Sequence, residues 1–167
     1  TENANLTDGN LILVNNGAND QAATGTFNIT SGKWYFEMYK KSTENPEVGI
    51  DAVTTNFNDI SSAAGVGKKV AFRTNGGDQT NGAGGTTSVT GSSSGQTGAG
   101  VIAIAVDMDN KKIWYSDFSG NWFNSGVPAT NTNAAFDFSS VSAADGAVPY
   151  FFCGTGSGDS IFVNFGQ

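Results

Sequence analysis

VIAIAVDMDNKKIWYS, residues 101–116, reads as a strand, a tight turn and a returning strand. Side chains alternate across a strand, so Ile102, Ile104, Val106 and Met108 share one face, while Val101, Ala103, Ala105 and Asp107 share the other. One face is bulky and the other small. That pattern predicts an inner strand packed on both sides, its small face lying under something close. Asp109 and Asn110 tolerate the turn, although Lys111 stands where a primed hairpin turn prefers glycine. Ile113, Trp114 and Tyr115 carry the chain back, with Trp114 out of phase with its two neighbours.

The same reading extends in both directions. KWYFEMYK at 33–40 sets Trp34, Phe36 and Met38 against Lys33, Tyr35 and Glu37, the half-buried strand pattern, and places Trp34 in the core. The stretch 6–14 opens with a turn-like Asp8-Gly9 and runs into a short apolar strand, and further strands are predicted over 22–29, 48–53, 68–73, 148–153 and 160–165, with turn residues between them. Residues 74–100 are almost entirely Gly, Ser, Thr, Asn and Gln, and Thr86 to Thr90 reads there as a weak edge strand between two loops. Trp122 to Val127 reads as a short strand or an irregular connection. No repeat and no linker divides the chain, so residues 1–167 are expected to form a single all-β domain, an antiparallel β-sandwich.

Composition narrows the function classes. Eight basic against fifteen acidic residues give a formal charge of −7, which repels a phosphate backbone and makes nucleic acid an unexpected partner. No apolar run is long enough for a membrane-crossing helix, and membrane insertion is not expected. Cys153, the only cysteine, reads as a small core residue within YFFCG. Histidine is absent, which removes the commonest general base and the imidazole-dependent triads.

Three segments in order resemble a known family: SGKWYFEM at 31–38 followed by EVGI at 47–50, VIAIAVDMDNKKIWYS at 101–116, and VNFGQ at 163–167. The chain resembles the SPRY, or B30.2-like, domain over most of its length, from about Leu6 to Gln167. Its Asn-, Gly-, Ser- and Thr-rich loops and its NFGQ look like the SPRY domains of bacteriophage tail fibres and virions and of bacterial surface proteins. The resemblance implies a concanavalin A-like sandwich of two curved antiparallel sheets, whose loops at one end form a recognition surface. It also implies a virion, extracellular or cell-surface location. The implied partner is a host-surface glycan or protein, or a neighbouring virion or fibre subunit.

A non-catalytic binding module is therefore expected, with no cofactor and no metal. A structural docking domain of a fibre or capsid is the alternative, and a glycan-cleaving sandwich enzyme ranks below both. Glycosidases need paired carboxylates, and the best pairs in sequence are Asp107 with Asp109 and Glu44 with Glu47. Asp107, Asp109 and Asn110 also begin like a calcium loop, but its glycine and closing glutamate are missing, so they read as turn residues. The candidate ligand-binding residues are Lys40, Lys41, Glu44 and Glu47 in a charged loop, Arg73, the only arginine, and Trp122 as an aromatic platform. The expected binding loops are 40–47, 74–98 and 117–126.

Overall fold

The computed structural model describes residues 4–9, 11–15, 21–41, 46–52, 69–74, 78–81, 86–88, 96–153 and 159–166. They form thirteen strands: β1 (Ala4–Thr7), β2 (Ile12–Asn15), β3 (Gln21–Thr24), β4 (Lys33–Lys40), β5 (Glu47–Ala52), β6 (Lys69–Arg73), β7 (Asp78–Asn81), β8 (Thr86–Ser88), β9 (Gly100–Asp107), β10 (Lys112–Tyr115), β11 (Phe136–Asp137), β12 (Ala147–Cys153) and β13 (Asp159–Asn164). One sheet has seven strands in the order β1-β2-β13-β4-β9-β10-β11, and the other has six in the order β3-β12-β5-β6-β7-β8. Every pairing between these strands is antiparallel.

The core lies where the alternation puts it, between the inner faces of the two sheets. Phe36 and Met38 of β4, Ile102, Ile104 and Val106 of β9, and Ile113 and Tyr115 of β10 meet Val48, Ile50, Val70, Phe72 and Phe151 from the opposite sheet. Phe72 stacks on Tyr115 with centroids 5.4 Å apart, and Phe36 meets Phe151 edge-on at 5.9 Å. Aromatic pairs of this kind join the sheets beyond what area burial contributes. Cys153 is buried in the same core.

Several elements differ from the sequence reading for physical reasons. The Asp8-Gly9 turn and the strand after it are present, both residues taking positive φ, but the residues before the turn form a further strand, β1, which pairs with β2 as a hairpin. The stretch 22–29 is β3 followed by a bend, with Ile29 making one isolated bridge to Ala147. Trp34 is 38% exposed, not in the core. It stands near the start of β4, where its indole stacks on Phe27 and its Nε1 donates to the Ser31 carbonyl, 2.8 Å away. Thr86–Ser88 is the edge strand of the six-stranded sheet, paired to Asp78–Asn81, which the sequence reading left in the loop. The polar side chains of that second strand carry no apolar alternation to announce it.

The β9–β10 connection is a four-residue loop, Met108 to Lys111, since Asp107 pairs with Lys112. Lys111 takes the left-handed conformation at φ 55°. Tertiary contacts offset this local cost: its Nζ donates to the Ala144 carbonyl at 2.6 Å, and its own carbonyl accepts from the Phe138 amide at 2.8 Å. Met108 is fully buried at the loop.

Candidate functional site

Outward-facing residues of the seven-stranded sheet line up in rows set by register. Lys33 faces Asp107, Tyr35 faces Ala105, Glu37 faces Ala103 and Tyr39 faces Val101 across β4 and β9. Across β9 and β10, Ala105 faces Trp114. Tyr35, Ala105 and Trp114 are therefore three neighbours in one row, a small residue flanked by two large rings.

Trp114 points outward, yet only 1% of it is exposed. The segment 122–133 folds back over this face and covers it. Trp114 Nε1 donates to the Thr132 carbonyl at 2.9 Å, and Gly126 packs so closely on the indole that a Cβ there would lie 2.6 Å from Trp114 Cδ1. Lys33 Nζ donates to the Ala129 carbonyl at 3.2 Å and Lys112 Nζ to the Asn131 carbonyl at 3.3 Å. Within this flap the chain makes two single-turn 3-10 segments, Phe123–Ser125 and Pro128–Thr130. Asn124, Ser125, Asn131 and Asn133 all take positive φ, where asparagine is the best-tolerated residue after glycine.

Between flap and sheet lies a cleft of about 440 Å³. Its floor is Tyr35, Ala105 and Trp114, its wall is Trp122 with Val127, Pro128 and Ala129, and Lys33 and Asp107 stand at one end. Asp107 is buried. Burial alone pushes its carboxyl up, but hydrogen bonds from the Asn110 amide and side chain, together with the Lys33 charge, bring it below the usual carboxylate value. Asp107 and Asn110 hold the turn between them, and Asp109 accepts from the Gly32 amide at 3.0 Å, which ties the turn to the connection before β4. Beside the cleft, the Tyr35 hydroxyl donates to Glu37 at 2.6 Å. Burial, that hydrogen bond and the Glu37 charge together push the phenol up to about 12. A second, smaller cavity of about 150 Å³ lies at the margin of the core between the β1–β2 hairpin and β3, with Leu13, Phe27, Phe151 and Phe165 in its wall.

Of the residues expected at the site, Trp122 alone lines this cleft. Lys40 is buried, in phase with Phe36 and Met38, and its Nζ donates to the Gln96 carbonyl at 2.7 Å. Glu47 is buried on the outer face of the six-stranded sheet, held by Arg73 at 2.6 Å and Lys69 at 3.3 Å. Arg73 reaches the surface only in part. Lys41 is exposed, and Glu44 lies outside the described residues. So do residues 42–45, 75–77, 82–85 and 89–95 of the expected loops. The third loop is a turn built on Asp117, whose Oδ1 accepts from the amides of Ser119 and Asn121 before the chain reaches Trp122.

Tyr35 and the Ala103–Ala105 pair were not singled out as site residues from sequence. The available signal was the small face of β9, which called for a close neighbour without identifying it.

No protein-family model matches the sequence, and no curated protein matches it as a relative. Among solved structures, the crystal structure of the SPRY domain of human HERC1 superposes with a TM-score of 0.73 at 17% identity, covering 99% of this chain and 94% of that one. The two-sheet antiparallel sandwich described here thus has the SPRY-type, concanavalin A-like fold.

Proposed function

We propose that the chain is a non-catalytic recognition module that takes its ligand in the cleft between the flap and the seven-stranded sheet. The cleft itself carries this reading: Tyr35, Trp114 and Trp122 surround one concavity that holds few polar groups. Concave, largely apolar sites with a few fixed polar groups are the usual form of ligand pockets. The charged residues that line the cleft, Lys33 and Asp107, are tied to each other and to the surrounding backbone, and Glu37 beside it is held by the Tyr35 hydroxyl. A glycan or protein segment of a cell surface is the ligand class that suits it. The resemblance of the loops and the NFGQ ending to bacteriophage and bacterial surface SPRY domains supports a place on a virion, a tail fibre or a bacterial surface, in host adhesion.

Adsorption of the fluorescently labelled protein to a panel of bacterial cells, before and after periodate oxidation of their surface sugars, tests this. Binding that Trp122→Ala abolishes without loss of fold is the expected result. Binding that survives Trp122→Ala unchanged places the site elsewhere. A concentration-dependent oligomer with no cell binding points instead to a structural docking role.

A further inference from the structure

Resting on that cleft reading, we infer that the cleft is the closed end of a longer groove and that its ligand is a linear chain of neutral or amino sugars lying along β4 and β9. The register makes the groove. Tyr35, Glu37 and Tyr39 of β4 stand beside Ala105, Ala103 and Val101 of β9, so large side chains border a floor made by two alanines. Tyr35 and Tyr39 are 53% and 40% exposed. Four residues apart on one strand face, they are separated by about 13 Å, more than one or two pyranose rings span. Tyr39 is backed edge-on by Phe162 at 5.7 Å, which holds its ring in place. The axial C–H bonds of a pyranose carry partial positive charge and rest favourably on the electron-rich face of such rings.

The hydrogen-bonding chemistry selects the occupant. Between the two tyrosines, Glu37 accepts from the Tyr35 hydroxyl at 2.6 Å and from Asn164 Nδ2 at 3.2 Å, so its remaining lone pairs are held in fixed directions. Several nearby donors are committed, Tyr35 to Glu37, Trp34 to Ser31 and Trp114 to Thr132, and Lys33 gives one N–H to Ala129, while the Tyr39 hydroxyl and Trp122 Nε1 remain open to a ligand. The Glu37 carboxylate between two ring faces suits a ligand that carries hydroxyl or ammonium donors beside apolar C–H faces, and the Tyr39 hydroxyl and Trp122 Nε1 can answer its oxygens. A proline-rich peptide has few N–H donors to offer that carboxylate. An extended peptide cannot add as a strand either, because β4 and β9 are paired on both edges. Acidic glycans meet the Glu37 carboxylate and a net charge of −7, while the cation of the cleft, Lys33, is tied to Ala129 and Asp107 and the only arginine lies on the other sheet.

The test is a printed array of bacterial capsular and O-polysaccharides with neutral, amino and acidic oligosaccharides from mono- to hexasaccharides, alongside proline-rich peptides. Titration of each hit with the wild type, Trp122→Ala and Tyr39→Ala follows. Hits confined to neutral and amino-sugar chains are expected, with affinity rising with chain length. Trp122→Ala abolishes binding of every chain, and Tyr39→Ala weakens the longer ones about tenfold. If Trp122→Ala abolishes binding but Tyr39→Ala and chain length have no effect, the extended groove is overturned and the cleft reading stands. Capture of acidic glycans or peptides instead, or no hit at all, overturns the sugar assignment. Sugar binding untouched by Trp122→Ala overturns the cleft reading as well.

Discussion

The two outer faces of the sandwich are built from the same kinds of residue and put to opposite use. On the six-stranded sheet, Glu47, Asp51, Lys69, Ala71 and Tyr150 point away from the core and are all buried. Their polar atoms are spent on one another: Lys69 Nζ lies 3.3 Å from Glu47, 3.1 Å from the Tyr150 hydroxyl and 4.7 Å from the centre of that ring. On the seven-stranded sheet, Tyr35 and Tyr39 stay open, and the cleft beside them is held by a flap fixed through side chains of the sheet itself. The charges of the six-stranded sheet's outer face therefore serve internal structure, whereas Tyr35 and Tyr39 on the seven-stranded sheet remain accessible.

Disturbing the closed face should have the largest effect. A Cβ on Gly49 would lie 2.0 Å from the Val70 carbonyl oxygen and 2.7 Å from Ala71 Cα, both backbone atoms that cannot swing aside. Gly49→Ala should cost about 3 kcal/mol or more in chemical denaturation, or prevent folding. Next in size is Glu47→Ala, which leaves Lys69 buried with its charge partner gone. We expect a loss of about 3 kcal/mol, with binding by the remaining folded protein unchanged. A variant of wild-type stability would show that the face is not the closed ionic cluster described here.

On the open face the order reverses. Tyr39→Ala should shift denaturation by only about 1 kcal/mol, because the residue is 40% exposed and its ring rests edge-on against Phe162, while reducing binding. A large stability loss there would mean that this face too is structural. The smallest effect is electrostatic. Tyr35 is protonated in the folded protein up to about pH 12, against 10.0 for an ordinary phenol. A raised pKa favours the folded state below the unfolded value and loses that contribution as pH climbs through the folded one. The wild type should therefore lose stability between about pH 10 and 12 relative to Tyr35→Phe, and its ultraviolet phenolate titration should contain a late component missing from the variant. A missing component that titrates near the ordinary 10.0 would dissolve the Tyr35–Glu37 pair.

Local signals were enough for most of the fold. Alternation in KWYFEMYK and VIAIAVD placed Phe36, Met38, Ile102, Ile104 and Val106 inside. It failed for Trp34, because a residue at the start of a strand keeps the phase of the core without being covered by it. It also failed for Lys40, which keeps that phase, is covered, and carries a charge that periodicity reads as exposed. Asp78–Asn81 gave no alternation at all.

The candidate site was legible only as fragments. Trp122 stood out as an indole in a polar context, and β9 showed a small face awaiting a neighbour. The antiparallel sandwich, the inner face of β9 and the burial of Cys153 were readable along the chain, since they follow from turn residues between short strands, alternation within a strand and the apolar run around the cysteine. Packing between distant segments put Tyr35, Ala105 and Trp114 in one row, closed the flap over Trp114 and paired Glu47 with both Lys69 and Arg73. The reason is that register between strands distant in sequence sets which side chains meet, and no spacing within one segment encodes it.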